Sequence, residues 1–115
     1  MDATKVPQIT LNTGDKVPCV GLGTFGSDRF DADEVSKAVA GAIRAGYRMI
    51  DCAACYGNEK EIGKVIADAL KEGVCERKDM YIMTKVWNDM HRHCEESARQ
   101  SIADLRCEYI DLFFI

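Results

Sequence analysis

The chain alternates between short apolar runs and amphipathic helical patterns, and this alternation limits its possible folds more than any other feature. The apolar runs read CVGLGT, RMIDCA, MYIMTK and YIDLFFI, and each except the last is followed by a helical pattern. They recur about every thirty residues and are almost continuously apolar, as in parallel strands covered on at least one face. The alternation therefore predicts an α/β fold. Two architectures remain open at this point, a doubly wound sheet and part of a (β/α)8 barrel.

Three helices are predicted between these runs, each with an apolar stripe at helical spacing. The first helix is predicted to begin at the capping box of Asp31 and Glu34 and to end at Gly46. The second is predicted to be capped by Asn58 and Glu61 at its start and to end near Gly73. The third helix is predicted over residues 93–106. The stripes consist of Val35, Ala38, Val39, Ala42 and Ile43; of Ile62, Val65, Ile66, Ala69 and Leu70; and of Cys94, Ala98, Ile102 and Leu105.

The N-terminal segment and the chain length refine this prediction. QITL and KVPCVGLG flank the turn-rich cluster NTGD, which predicts a β-hairpin over residues 8–19. The chain has 115 residues, whereas a complete (β/α)8 barrel needs about 250. Its last residue, Ile115, falls in an apolar strand that no predicted helix covers. We therefore expect a single domain over residues 1–115 that is the N-terminal part of a longer protein, with the C-terminal half missing.

Composition and charge exclude several classes of protein. The net charge of -4 argues against nucleic-acid binding, which uses a basic patch. No stretch is long enough to span a bilayer, and the N-terminus MDATKVPQIT lacks the apolar region of a signal peptide. A cytoplasmic location is therefore expected, and the six cysteines are expected to be reduced thiols.

Gly21, Gly23 and Gly26 match G-x-G-x-x-G, the fingerprint of a dinucleotide-binding Rossmann loop. In that loop the third glycine opens a helix whose free N–H groups bind the pyrophosphate. Here SDRFD follows Gly26, so the helix should begin only after Asp31, and acidic residues at its start would repel a phosphate. We interpret these glycines instead as a strand end that lets a flat group approach the backbone.

Side chains capable of proton transfer lie at the C-terminal ends of successive apolar runs. Asp51 ends the second strand, Tyr56 lies in the loop after it, and Lys85 ends the third strand. In a barrel these strand ends converge on one mouth, where active sites lie. A free phenol, with a pKa of about 10, is a poor acid at neutral pH, and an ammonium about 4–6 Å away favours its ionised form. The set predicts Tyr56 as general acid, Lys85 as the group that acidifies it and Asp51 as the anchor of the lysine.

The stretch GYRMIDCAACYGNEKEIG, residues 46–63, resembles the aldo-keto reductase family. GLGTFG and MTKVWN resemble the ends of that family's first and third strands, and EYIDLFFI resembles its fourth strand. The resemblance implies a (β/α)8 barrel preceded by a hairpin, and NAD(P)H-dependent reduction of an aldehyde or ketone, with NADP(H) favoured over NAD(H). Hydride would pass to the carbonyl carbon while Tyr56 protonates the oxygen. A full-length protein is expected to be a monomer that binds a small carbonyl compound, and neither nucleic acid nor membrane.

The resemblance also implies roles for the residues around this set. Gly23, Thr24 and Asp51 would contact the nicotinamide, Phe25 and Trp87 would line the substrate pocket, and no metal is expected.

The chain departs from the family pattern at two places. Met49 stands where the family most often has histidine. The family's catalytic histidine would be the residue after Ile115, so the 115-residue chain by itself is expected to be inactive as a reductase.

Three alternative functions remain open. CAAC, from Cys52 to Cys55, has the spacing of a thioredoxin-like redox site, although such a site needs its first cysteine at a helix N-terminus. HRHC, residues 91–94, could join CAAC in a zinc site, although the separation of the two pairs does not fit a zinc finger. A non-catalytic binding protein of barrel type is the third.

Overall fold

The computed structural model describes residues 2–115, and the chain begins with a two-stranded hairpin. Strands β1 (Gln8–Thr10) and β2 (Lys16–Pro18) pair in antiparallel fashion. Gly14, in the turn between them, has a φ of 93°, a left-handed conformation that glycine adopts without strain. The hairpin expected at this position is therefore confirmed.

A four-stranded parallel sheet follows the hairpin. Its strands are β3 (Gly21–Gly23), β4 (Met49–Asp51), β5 (Tyr81–Lys85) and β6 (Leu112–Phe114). Each strand pairs with the next one along the chain, so the sheet order is β3-β4-β5-β6. A doubly wound sheet reverses its strand order at a switch point, whereas a (β/α)8 barrel keeps chain order. The order without reversal is therefore that of a barrel.

The strands are connected by three helices, α1 (Ala32–Ala45), α2 (Glu59–Lys71) and α3 (Cys94–Leu105). The predicted capping box of α1 is confirmed: Asp31 Oδ1 accepts a hydrogen bond from the N–H of Glu34 at 2.8 Å, and Glu34 Oε2 accepts one from the N–H of Asp31 at 3.1 Å. Gly46 ends the helix in the left-handed conformation, as predicted. The chain thus reaches β4 through the turn that the sequence indicates.

The predicted capping of α2 by Asn58 and Glu61 is wrong. Asn58 occupies the N-cap position, but its side chain makes no hydrogen bond to the helix. Its Nδ2 donates instead to the carbonyl oxygen of Thr24 at 2.8 Å, and the residue is only 3% exposed. Because this amide is buried against the end of β3, it makes a tertiary contact rather than a local cap.

The helices cover one face of the sheet. Ile50, Ile82 and Thr84 are buried beneath the helices, whereas Asp51 and Lys85 on the other face are only partly buried. The buried core also contains the predicted helix stripes, represented by Val39, Ile43, Ile62, Ile66 and Leu105. Burying each of these side chains stabilises the fold by about 1.5–3 kcal/mol. The face away from the helices is therefore the one on which polar strand-end residues collect.

Gly63 lets two helices pack unusually closely. A Cβ atom on Gly63 would lie 2.1 Å from the carbonyl oxygen of Asp104, so α2 approaches the end of α3 at a distance that only glycine permits.

None of the helices within residues 2–115 has both the length and the apolar character needed to cross a membrane.

Candidate active site

Lys85 is the centre of a polar cluster at the C-terminal ends of β4 and β5. Its Nζ donates to the carboxylate of Asp51 and, at 2.8 Å, to the carbonyl oxygen of Cys52. The side chain of Lys85 is 28% exposed and that of Asp51 is 37% exposed. The pair is thus reached by solvent yet fixed by neighbouring parallel strands.

Tyr56 completes the cluster. It ends the short 3-10 turn Ala54–Tyr56, and Gly57 after it has a φ of 69°, which reverses the chain towards α2. The Nζ of Lys85 lies 3.5 Å from the Tyr56 hydroxyl oxygen and 5.1 Å from the ring centroid. The structure therefore brings together Asp51, Tyr56 and Lys85, the three side chains that the sequence singles out for proton transfer.

The environment of Lys85 keeps its amine protonated. Burial by itself would lower the pKa of Lys85, but the hydrogen bond and charge of Asp51, with a contribution from Tyr56, outweigh it and raise that pKa above the ordinary value. The lysine is therefore a fixed positive charge beside the phenol at neutral pH.

The backbone of Asp51 is held by Thr24. Both the N–H and the hydroxyl of Thr24 donate to the carbonyl oxygen of Asp51, at 3.1 and 2.8 Å, and Thr24 is 1% exposed. Asn58 in turn donates to the carbonyl oxygen of Thr24. This chain of hydrogen bonds fixes the strand end that carries Asp51.

An open surface lies beside the cluster. Gly23 is paired with Asp51 across the sheet, and a Cβ atom built on it would meet no other atom within 4 Å. Phe25 is 68% exposed, and its ring centroid lies 5.1 Å from that of Tyr56, with the planes tilted by 41°. Trp87, two residues after Lys85, is 54% exposed. Phe25 therefore adjoins the cluster, and both aromatic residues are free to contact a ligand.

A family model described as "Aldo/keto reductase family" matches residues 19–115. The chain belongs to the aldo/keto reductase family. Its relatives include aldo-keto reductase family 1 member A1-A of Danio rerio, which is 44% identical over 110 residues, or 93% of this chain and 33% of the relative. An aldose reductase of Encephalitozoon cuniculi is 44% identical over 105 residues, or 91% of this chain and 34% of the relative.

A solved structure has the same fold. The crystal structure of a Bombyx mori aldo-keto reductase in complex with NADP matches this chain with a TM-score of 0.90 at 40% identity, covering 96% of this chain and 38% of the other. The α/β fold of a hairpin followed by parallel barrel strands is therefore confirmed. The chain spans about a third of the length of the curated relatives it matches.

The glycine fingerprint of this chain is not a Rossmann loop. The helix α1 begins at Ala32, well after Gly26, and the Asp31 side chain already occupies an N–H group at its start. A Cβ atom on Gly26 would lie 2.5 Å from the carbonyl oxygen of Phe30, so Gly26 is required by a tight turn of the chain. These glycines therefore lie at a strand end, Gly21–Gly23, and in the turn after it. That this strand end receives a flat group stays a prediction.

The C-x-x-C pair lacks the features of a thiol redox site. Cys52 is fully buried, and burial, with the nearby negative charge of Glu59, raises the pKa of its thiol to about 12. The helix α2 begins only at Glu59, so neither cysteine lies at its N-terminus. All six cysteines have free thiols, and residues 2–115 contain no group of three or more potential ligands arranged to hold a metal ion.

Two polar residues of the site were missed by the sequence analysis. Asn58 and Glu59 both lie at the start of α2, where polar residues are ordinarily exposed caps or partners of the helix dipole. Both are buried, at 3% and 5% exposure. The only signal in the sequence was their place next to Tyr56, and it does not indicate burial.

Proposed function

We propose that the protein carrying this chain is an NAD(P)H-dependent oxidoreductase that reduces an aldehyde or ketone to an alcohol. The observation that carries the proposal is the contact of the Lys85 amine with both the Asp51 carboxylate and the Tyr56 hydroxyl on the open ends of parallel strands. A carboxylate, an amine and a phenol in this arrangement can act in general acid catalysis, with the phenol donating a proton to a polar substrate atom. The names of relatives, among them an aldose reductase and an NADPH-dependent aldose reductase of Saccharomyces cerevisiae, support this reading.

The exposed strand ends fit the nicotinamide end of the cofactor. Gly23 offers a flat, unobstructed backbone directly beside Asp51, and the carboxylate there can accept a hydrogen bond. The bound cofactor supplies the hydride. Because the hydroxyl hydrogen of Thr24 is already donated to Asp51, Thr24 would shape this site mainly by holding that residue. We favour NADP(H), since two relatives are described as NADP- or NADPH-dependent and the Bombyx mori structure is an NADP complex, although one relative is an NADH-dependent D-xylose reductase of Candida parapsilosis.

In the proposed reaction the chain supplies the proton. The Tyr56 hydroxyl donates its proton to the carbonyl oxygen, and the ammonium of Lys85, 3.5 Å away, stabilises the negative charge that remains on the phenol oxygen. Asp51 keeps Lys85 charged and directed at Tyr56. Solvent, which reaches the partly exposed pair, restores the proton to the phenol.

Phe25 and Trp87 are the proposed substrate contacts. Both are large, exposed aromatic side chains, and Phe25 adjoins the Tyr56 ring. Apolar walls around a small number of polar groups are typical of sites for small molecules. The expected substrate class is therefore a small aldehyde or ketone with an apolar portion. A cytoplasmic location and a monomeric state stay predictions.

The test uses the protein expressed from its complete reading frame. We expect oxidation of NADPH, followed at its absorbance maximum, when small aldehydes and ketones are added, and an alcohol as the product. NADH in a parallel assay decides the cofactor preference. A folded protein that binds NADPH but reduces no carbonyl compound would contradict the proposal and favour a binding protein of barrel type.

A further inference from the structure

Glu59 is a buried carboxylate with two hydrogen-bond partners and no part in the proposed chemistry. It is the first residue of α2 and is 5% exposed. Its Oε1 accepts a hydrogen bond from the Thr84 hydroxyl at 2.5 Å, and its Oε2 accepts one from the Ser101 hydroxyl at 2.9 Å. The carboxylate therefore joins the start of α2 to strand β5 on one side and to helix α3 on the other.

The contact with Thr84 acts on the residue next to Lys85. Side chains alternate along a strand, so the fully buried Thr84 points towards the helices while Lys85 points towards the polar cluster. Fixing the Thr84 side chain thus fixes the backbone from which the Lys85 side chain extends. Any shift of β5 along α2 would move the Lys85 amine relative to its partners.

The same helix start also carries Tyr56. Tyr56 lies three residues before Glu59, and Asn58 between them is hydrogen-bonded to Thr24, which holds Asp51. Neighbouring residues Asn58 and Glu59 therefore tie the start of α2 to the ends of β3 and β5. These are the elements whose relative placement sets the distance between the Tyr56 hydroxyl and the Lys85 amine.

We propose that Glu59 is a positioning residue, whose hydrogen bond to Thr84 sets the placement of Lys85 relative to Tyr56 and Asp51. The inference rests on the proposed reductase function, which it deepens. Apolar residues could fill this space without the desolvation cost of a carboxylate, so the polar contact has a use beyond packing. That cost is visible in Glu59 itself: burial raises its pKa, against the two hydroxyl hydrogen bonds that lower it.

The decisive variant is Thr84→Val, made in the protein expressed from its complete reading frame. Valine has the shape of threonine but cannot donate to Glu59, so packing is preserved and the contact is lost. We expect turnover to fall about tenfold, because small displacements of catalytic groups cost rate steeply. We also expect the pKa of Lys85 to fall, since its amine moves away from Asp51. That pKa is read by NMR of 13Cε-labelled lysine, with Lys85→Met providing the assignment.

Two further variants separate positioning from stability and from charge. Ser36→Ala removes a different buried hydroxyl, which donates to the carbonyl oxygen of Asp33 in α1, and should change neither turnover nor the Lys85 pKa. Glu59→Gln keeps an oxygen that accepts from Thr84 and an amide that can donate to Ser101, so turnover should stay within about threefold of the parent protein.

The outcomes distinguish the two proposals. A folded Thr84→Val protein with unchanged turnover and an unchanged Lys85 pKa would overturn the positioning role, and so would a Glu59→Gln protein as impaired as Thr84→Val. If the parent protein reduces no carbonyl compound, the proposed function fails. The NMR comparison still decides whether Glu59 positions Lys85, because it needs no turnover.

Discussion

Strand β5 has an ion pair near each of its ends, and the two pairs differ in how far solvent reaches them. At the N-terminal end, Arg77 pairs with Asp111 at 2.8 Å, and the side chains are only 10% and 16% exposed. At the C-terminal end, Lys85 pairs with Asp51, and the side chains are 28% and 37% exposed. The Arg77–Asp111 pair is therefore largely buried, whereas the Lys85–Asp51 pair is reached by solvent.

The guanidinium of Arg77 uses four of its five N–H groups. Besides Asp111, it donates to the carbonyl oxygens of Cys107, Met80 and Tyr109, at 2.7, 3.1 and 2.6 Å. Asp111 accepts a further hydrogen bond from the N–H of Ile82. An arginine does not lose its proton in a protein, so this pair can only tie segments together.

The Lys85 amine, by contrast, keeps a longer contact of 3.5 Å to the phenol oxygen of Tyr56. The Arg77–Asp111 pair is therefore expected to serve stability, and the Lys85–Asp51 pair is the one assigned to the proposed chemistry, as the two faces of a barrel usually divide.

The largest effect is expected from Tyr56→Phe. Removing the hydroxyl removes the proposed proton donor, so turnover in the protein from the complete reading frame should fall about 10²–10⁴-fold. Cofactor affinity, measured by fluorescence titration with NADPH, should be nearly unchanged. Tyr109→Phe, at the other end of β5, is the matched control and should keep full turnover. Unchanged turnover in Tyr56→Phe would refute the assignment of Tyr56.

Arg77→Met tests the opposite end of the strand. It leaves the largely buried Asp111 side chain, which is 16% exposed, without its charged partner, so the free energy of unfolding should fall by about 3 kcal/mol, measured by urea denaturation. Arg44→Met breaks an exposed pair with Glu72, whose side chains are 51% and 52% exposed, and should cost about 0–1 kcal/mol. Equal losses in the two variants would contradict the structural role of the Arg77 pair.

Lys85→Met should have the opposite effect to Arg77→Met, with a large loss of turnover and only a small loss of stability. The phenol remains, but without the ammonium the negative charge that develops on its oxygen during proton transfer is no longer stabilised, so turnover should fall about 10- to 100-fold. The free energy of unfolding should change by only about 1 kcal/mol, because solvent screens this partly exposed pair. A pH–rate profile with no alkaline change relative to the parent protein would count against this role of Lys85.

The pH dependence of stability gives a smaller effect of predictable sign. The folded pKa of Lys85 lies above its ordinary value of 10.5. The stabilisation from its pairing with Asp51 is therefore fully present below about pH 10.5 and is lost as the pH rises through the folded pKa. The difference in unfolding free energy between the parent protein and Lys85→Met should shrink over this range in urea titrations. If this difference in unfolding free energy stayed constant up to pH 12, the raised pKa of Lys85 and its origin in the pairing with Asp51 would be contradicted.

The smallest effect concerns Cys52 and Cys55, the thiols beside the cluster of Asp51, Tyr56 and Lys85. Because the pKa of Cys52 is raised to about 12, iodoacetamide at pH 8 should leave Cys52 unmodified in the folded protein. Cys55 is exposed and should be alkylated, as peptide mapping by mass spectrometry will show. Rapid alkylation of Cys52 in the folded protein would revive the thiol redox alternative.

Much of the fold was predictable because it depends on local patterns. The capping box of Asp31 and Glu34 and the left-handed turn at Gly46 are properties of a few adjacent residues, and both form as predicted. The helix α3, predicted over residues 93–106, spans Cys94–Leu105. The capping of α2 failed because a buried tertiary partner, Thr24, competes successfully for the amide of Asn58.

The candidate site was predictable only in part. The placement of Asp51, Tyr56 and Lys85 at successive strand ends indicated a common mouth, and the side chains do meet there. Their proposed roles in catalysis, and those of Gly23, Thr24, Phe25 and Trp87, stay predictions. Glu59 could not be found, because a glutamate in the first turn of a helix has the same local pattern whether it is exposed or buried.

The amino-acid sequence alone determined the alternation of strands and helices, the apolar stripes, the caps of α1 and the strand ends on which polar residues fall, since all of these depend on residues close together in the chain. The tertiary structure decided which polar groups are partners: that Lys85 lies between Asp51 and Tyr56, that Arg77 donates to the carbonyl oxygens of Cys107 and Tyr109, and that Glu59 is buried between Thr84 and Ser101. Such pairings join residues far apart in sequence. They arise only when packing of the helices on the sheet removes water and leaves each polar group to find its partner within the protein.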